Sequence, residues 1–185
     1  MRSPPPPRDA VNQTDRSDKP DNITALEQIA VLKVQAGLTA LEGPGIIVEM
    51  DDSTQISKSG ENPNLYVIHD DDILRVVNEL RAAGAEAISI NGQRLIDTSE
   101  IRCAGPTLSV NNVRSAAPFV ISAIGDKTAL ENAIKMRGGV EQTLSVWGIK
   151  IDIKTADNVY VPPFGGNRQL IYAQPVTARK IINSK

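Results

Sequence analysis

The chain is short of the residues that most often carry reactive chemistry. In 185 residues it has one cysteine and one histidine, and aromatics make up 3%. A single cysteine, Cys103, excludes an intrachain disulfide. It leaves the compartment open, because a lone thiol suits a reducing cytosol and also a bacterial exterior protein that avoids cysteine pairs. So few aromatics leave little for base stacking. Lys and Arg number 20 against 22 Asp and Glu, with no basic stripe, so nucleic acid is not an expected partner. No run approaches the roughly 20 apolar residues of a membrane span. The opening Met1-Arg2-Ser3-Pro4-Pro5-Pro6-Pro7 lacks the apolar centre of a signal peptide. Any membrane attachment is therefore expected through an anchor outside this chain.

Reactive motifs are also missing. No serine sits in a Gly-x-Ser-x-Gly elbow. Gly43-Pro44-Gly45 leads into a strand, whereas a phosphate loop leads into a helix. Gly138-Gly139 is either an anion-binding helix start or a helix breaker. No cofactor fingerprint is present and no cofactor is expected.

What is present reads as one α+β domain with tails. Residues 1–22 are Pro-rich and polar, and read as a flexible lead. Residues 23–42 hold a helix whose apolar positions Ile23, Leu26, Ala30, Val34, Leu38 and Leu41 recur at three- and four-residue spacing. It is either the end of a coiled coil or an amphipathic helix packed on its own domain. Residues 43–163 form the globular part. Short strands are expected over Ile46–Met50 and Leu65–Ile68. A helix is expected over Asp70–Ala83, with Ile73, Val76, Val77 and Leu80 on one face and acidic residues in its first turn. Asn91-Gly92 and Asn111-Asn112 mark two hairpin turns. A strand over Phe119–Ile124 precedes a helix capped by Asp126 or Thr128, and a helical piece follows Gly138-Gly139. Ile149–Lys154 alternates as a half-buried strand, with Asn158–Val161 pairing nearby. Residues 164–185 are a tail with an added edge strand at Leu170-Ile171-Tyr172. The order predicts a mixed or antiparallel sheet with helices on one face, a ferredoxin-like variant with extra hairpins preceded by an N-terminal helix.

Two residue groups are candidate sites. Asp51, Asp52, Asp70 and Asp71 would make a weak cation site if the loop after residue 50 folds back. Helix capping and surface charge explain the same residues without a ligand. Asn91, Arg94, Asn112 and Arg114 pair tight turns with arginine on exposed hairpins, a pattern suited to partner binding or simply to soluble turns. His69 and Cys103 would form a nucleophilic pair only if the fold brings them together, and a lone cysteine in an apolar strand is ordinarily packing.

Three stretches carry a family resemblance. They are Glu42-Gly43-Pro44-Gly45-Ile46-Ile47-Val48, the run from Val77 to Arg94, and Ile101-Arg102-Cys103-Ala104-Gly105-Pro106-Thr107. Together with Ala123-Ile124-Gly125-Asp126 and Gly138-Gly139-Val140, they resemble the bacterial family of unknown function often labelled "division initiation protein", domain of unknown function 881. The resemblance implies an architecture and no activity: a membrane helix, a coiled coil, and this domain outside the cytoplasm, in Gram-positive bacteria. It carries no functional residues over. This chain departs from that pattern by lacking the anchor and by opening with a Pro-rich segment. The expectation is a non-enzymatic interaction domain of an envelope protein linked to cell division or wall assembly, with protein partners and homo-oligomers through the N-terminal helix. The alternatives are a small-ligand sensor or enzyme with a pocket near Asp51, Asp52, His69 and Cys103, or a structural dimeriser.

Overall fold

The computed structural model describes residues 19–56, 59–167 and 171–173. Helix α1 spans Lys19–Gln35. It stops earlier than the apolar spacing suggests, because Gly37 takes a φ of 74° and closes it. The Leu38 amide donates back to the Lys33 carbonyl at 2.9 Å and the Gly37 amide to Val34 at 3.0 Å. Of the expected lead, residues 1–18 lie outside the described residues, and the chain is helical from Lys19.

Strand β1, Leu41–Asp51, runs straight through Gly43-Pro44-Gly45. Proline is tolerated there because the pairing with the last strand shifts register between Gly43 and Gly45. The Gly45 backbone lies so close to its neighbour that a Cβ would sit 2.0 Å from the Ala123 carbonyl oxygen. Residues 63–66 form a 3₁₀ turn rather than a strand. Pro63 presets its first position, and the Asn62 side chain accepts from the Asn64 amide at 3.1 Å.

Helix α2, Asp70–Ala82, buries Ile73, Val76, Val77 and Leu80, the face its spacing predicts. Strands β2 (Ala87–Ile90) and β3 (Gln93–Arg94) form a hairpin through Asn91 and Gly92, whose φ values are 45° and 76°. Strands β4 (Ile101–Ala104), β5 (Thr107–Val110) and β6 (Val113–Ser115) make a separate three-stranded sheet. Strand β7 is Phe119–Ile124. Helix α3, Lys127–Ile134, is capped by Asp126, whose carboxylate accepts from the Ala129 amide at 2.7 Å. Helix α4 is Val140–Ser145. Strand β8 is one continuous element, Lys150–Val161, where the sequence suggests two pieces. Its long antiparallel pairing with β1 carries the polar centre around Thr155-Ala156-Asp157 into the sheet.

The large sheet has the order β3-β2-β7-β1-β8, and every neighbour is antiparallel. Fold class is thus mixed α+β with antiparallel sheets. Ile46, Val48, Met50, Ile121 and Ala123 turn one face toward α2, α3 and α4 and are fully buried with Leu130 and Ile134. Each such large side chain contributes about 1.5–3 kcal/mol by leaving water. Leu108 and Val110 of the small sheet enter the same core. A smaller cluster, Ala87, Ile124, Val159 and Val161, covers part of the other face. Among the described tail residues no strand forms, and Leu170 lies outside them.

Candidate functional site

The β1–α2 connection and the segment between β2 and β7 meet over a cavity of about 310 Å³. Asp52, Asn64, His69, Cys103, Thr107 and Phe119 are among its walls. Asp52 holds the connection in place, its Oδ1 accepting from the Ile68 amide at 2.8 Å. His69 precedes α2, and its backbone amide donates to Asp72 Oδ2 at 2.9 Å, half of a capping box.

The imidazole is oriented by the chain beneath it. Nε2 lies 2.9 Å from the Asn64 carbonyl, which can only accept. In the neutral ring the proton is therefore assigned to Nε2, and Nδ1 faces Cys103 Sγ at 3.7 Å as an acceptor. The sequence names both residues, and the fold brings them together from positions 34 residues apart.

Asp70 takes the thiol. Cys103 Sγ donates to Asp70 Oδ1 at 3.2 Å, and the Cys103 amide donates to Oδ2 at 2.8 Å. The Asp70 amide in turn points at Sγ, 3.4 Å away. These bonds clamp β4 to the first turn of α2. They hold the Asp70 carboxyl below its ordinary value, the Cys103 amide first and the thiol second. Cys103 is exposed as a residue. Its thiol is nevertheless pushed up, first by partial burial, then by hydrogen bonding to Asp70 and by the Asp70 and Asp71 charges. A thiol kept protonated is a hydrogen-bond donor and not an activated nucleophile.

The acidic residues are engaged locally. Asp51 Oδ1 accepts from the Asp52 amide at 2.9 Å, and Asp70 Oδ1 lies 3.1 Å from the Asp71 amide. Among the described residues, no three His, Cys, Asp or Glu side chains are grouped to hold a metal ion. Asp52 lines the cavity, and Asp51 does not.

The hairpin residues divide. Arg114 and Asn112 are exposed. Asn112 has a φ of 63° and its amide donates to Glu100 Oε1. Asn91 works inside the fold, its Oδ1 accepting from the Val120 amide at 2.7 Å. Arg94, expected on an exposed turn, is 5% exposed. It pairs with Ser89, in a strand buried on both faces, so its side chain must point inward. Its Nε and Nη1 have no hydrogen-bond partner among the described residues. Burial pushes its guanidinium down from the ordinary value. A second cavity, about 340 Å³, lies beside it, between the end of α1 and the strand β3 end. Sequence reasoning missed this cavity. The signal available was the run Ala87-Ile88-Ser89-Ile90, apolar except for one small serine, which suits a strand buried on both faces.

An antiparallel α+β core with its polar cavities in the connections defines a class and no reaction. The profile of the family described as "Bacterial protein of unknown function (DUF881)" matches residues 28–174, and the chain belongs to that family. It is 36% identical over 148 residues to the UPF0749 protein YlxW of Bacillus subtilis (strain 168), covering 80% of this chain and 64% of that protein. It is 31% identical over 172 residues to the UPF0749 protein Rv1825 of Mycobacterium tuberculosis (strain ATCC 25618 / H37Rv), covering 90% of this chain and 55% of that protein. The chain thus spans less than two thirds of the length of these relatives. The crystal structure of an uncharacterized conserved protein from Mycobacterium tuberculosis aligns with a TM-score of 0.64 at 30% identity, over 80% of this chain and 99% of that one.

Proposed function

We propose that this chain is a non-enzymatic assembly domain, an α+β head carried on a self-associating helix. On this reading it is the extracytoplasmic part of a membrane-anchored bacterial envelope protein that serves division or wall assembly. The anchor would lie in native sequence outside this chain. The observation that supports it is α1. Leu26, Ile29, Val31, Leu32 and Val34 are between 38% and 66% exposed and lie all around the helix, apolar area that packing with further copies of the helix would cover. Among the described residues no helix is long and apolar enough to cross a membrane, so this exposed surface suits a helix partner better than a bilayer span. The strand order around β1 and β7 further supports reading the head as a ferredoxin-like frame with β3 to β6 inserted. Arg114 and Asn112 remain candidate partner contacts on the small sheet.

Light scattering on the purified chain tests the assembly. The native chain is expected to form dimers or larger oligomers at about 100 μM, and Leu26→Glu with Ile29→Glu and Leu32→Glu to be monomeric with unchanged circular dichroism from the head. A native chain that stays monomeric at that concentration refutes the reading.

One observation favours a second reading, a small-ligand sensor. The imidazole and thiol stand 3.7 Å apart on the wall of the 310 Å³ cavity. Its size is at the small end of ligand pockets. Protection of Cys103 from alkylation by a saturating metabolite tests it, and equal labelling with and without every compound in a metabolite set removes it.

A further inference from the structure

Arg94 is a buried cation with two guanidinium nitrogens unpartnered among the described residues. The side chain is 5% exposed, and Nε and Nη1 are without partners among the described residues. Guanidinium stays protonated and offers five donors and no acceptor. Burying it unpaired destabilises the fold, so an arginine in this position needs a compensating interaction. The hydrogen bonds around it serve its backbone instead. Asn111 Nδ2 and Ser99 Oγ both reach the Arg94 carbonyl, at 2.8 and 3.5 Å. They fix the strand without serving Nε or Nη1.

The cavity beside it gives that interaction a place. Gln35, Gly37, Glu86, Ile96 and Asp97 border the 340 Å³ space together with Arg94. Gly37 keeps the roof low. A Cβ there would come within 2.6 Å of Ile96 Cγ2 and 3.8 Å of Arg94 Nε. Aliphatic Leu95 and Ile96, one cation at Arg94 and two carboxylates at Glu86 and Asp97 form a mixed site.

We propose that this cavity binds a small amino acid zwitterion, its carboxylate on Arg94 and its ammonium on Glu86. Planar guanidinium matches a carboxylate through parallel N–H bonds. The Glu86 carboxylate repels phosphate or a dicarboxylate, while it accepts from an ammonium group. The volume is close to the lower limit of ligand pockets, which suits a molecule of amino-acid size. The site lies where α1 joins the head, so an occupant would stiffen that joint.

The test uses the whole chain. The Nε–H resonance of Arg94 and the heat of binding are followed with L-alanine, D-alanine and L-glutamate. Acetate and methylammonium chloride serve as half-ligands at matched ionic strength. Saturation by alanine is expected below about 50 mM, because two charge-assisted contacts support roughly millimolar affinity. Acetate alone is expected to bind about tenfold more weakly, since it lacks the ammonium contact. Glu86→Gln should weaken alanine about tenfold and bind acetate at least as well as the native chain, and Glu86 is exposed, so the change disturbs no buried group. Arg94→Lys should weaken both about tenfold. No saturation by any probe overturns the site. Equal affinity for acetate and alanine overturns the ligand class. An Arg94 resonance that moves on Glu86→Gln without responding to any probe shows a guanidinium paired inside the protein, and also overturns the proposal.

Discussion

Cys103 is expected to be a slow thiol, through burial first and the Asp70 carboxylate after it. A thiol at the ordinary value of 9.0 is about 1% thiolate at pH 7 and about 10% at pH 8. Burial and the Asp70 and Asp71 charges push Cys103 above that value, so its reactive fraction is smaller still. The assay is the pseudo-first-order rate of iodoacetamide labelling from pH 7 to 10. Asp70→Asn removes the charge and keeps an oxygen for the Cys103 amide, which now donates to Oδ2 at 2.8 Å. One pKa unit is tenfold in thiolate on the acid side, so the variant should label a few-fold to about tenfold faster at pH 8. Burial remains in the variant, so its rate should not exceed that of free cysteine. His69→Ala should leave the native rate unchanged, because the thiol proton faces Asp70 Oδ1 at 3.2 Å rather than Nδ1 at 3.7 Å. Labelling faster than free cysteine at pH 7, lost in His69→Ala, would refute this reasoning and make the pair an activated nucleophile.

The same carboxylate sets an acid limit. Its folded value lies below the ordinary 3.8, so its stabilisation is fully present above pH 3.8 and is lost as pH falls through the folded value. Urea melts at falling pH should show native stability dropping across that window and Asp70→Asn dropping less; parallel curves would show that the clamp adds nothing. Gly45→Ala should cost about 3 kcal/mol or more, since its Cβ would lie 2.0 Å from a backbone oxygen that cannot swing away. That corresponds to a fall in Tm of about 6–12 °C for a chain of this size. Gly165→Ala, with nothing within 4 Å, should stay within about 0.5 kcal/mol, and equal losses at the two glycines would contradict the close approach of β1 and β7.

Local signals were the legible ones. Helix α2 follows from its apolar spacing, its acidic first turn and Gly84, which closes it at a φ of 87°. The β2–β3 turn follows from Asn91-Gly92. Both ends of strand β8 were legible and its continuity was not, because tertiary pairing with β1 carries it across a polar stretch of low strand preference. Leu65–Ile68 reads as a strand by its apolar run, but Asn62-Pro63 just before it sets a 3₁₀ turn over Pro63–Tyr66 instead. At the sites, His69 and Cys103 were identifiable as rare residues, but the Asp70–Cys103 clamp spans 33 residues and leaves no local trace. Arg94 was read as exposed because charge near a tight turn usually is. Its true direction depends on β2 being covered on both faces, a fact of the assembled sheet.

Both cavities share one origin. The first takes Cys103, Gly105 to Leu108 and Ala117 from the segment between β2 and β7, and the second takes Arg94 to Asp97 from the same segment. The frame of β1, β2, β7, β8 and its helices supplies mostly apolar burial. Inserted segments of this kind usually carry function on a rigid scaffold. A binding site also needs its supports held still. Leu108 and Val110 meet that need, being 2% and 1% exposed within the main core. The small sheet is therefore anchored rather than appended, with β4 against α2 and the turn at Asn111 bonded to the Arg94 carbonyl. That placement makes the cavity-facing residues of 91–118, as distinct from its core residues Leu108 and Val110, the positions where substitutions should change binding while leaving the frame folded.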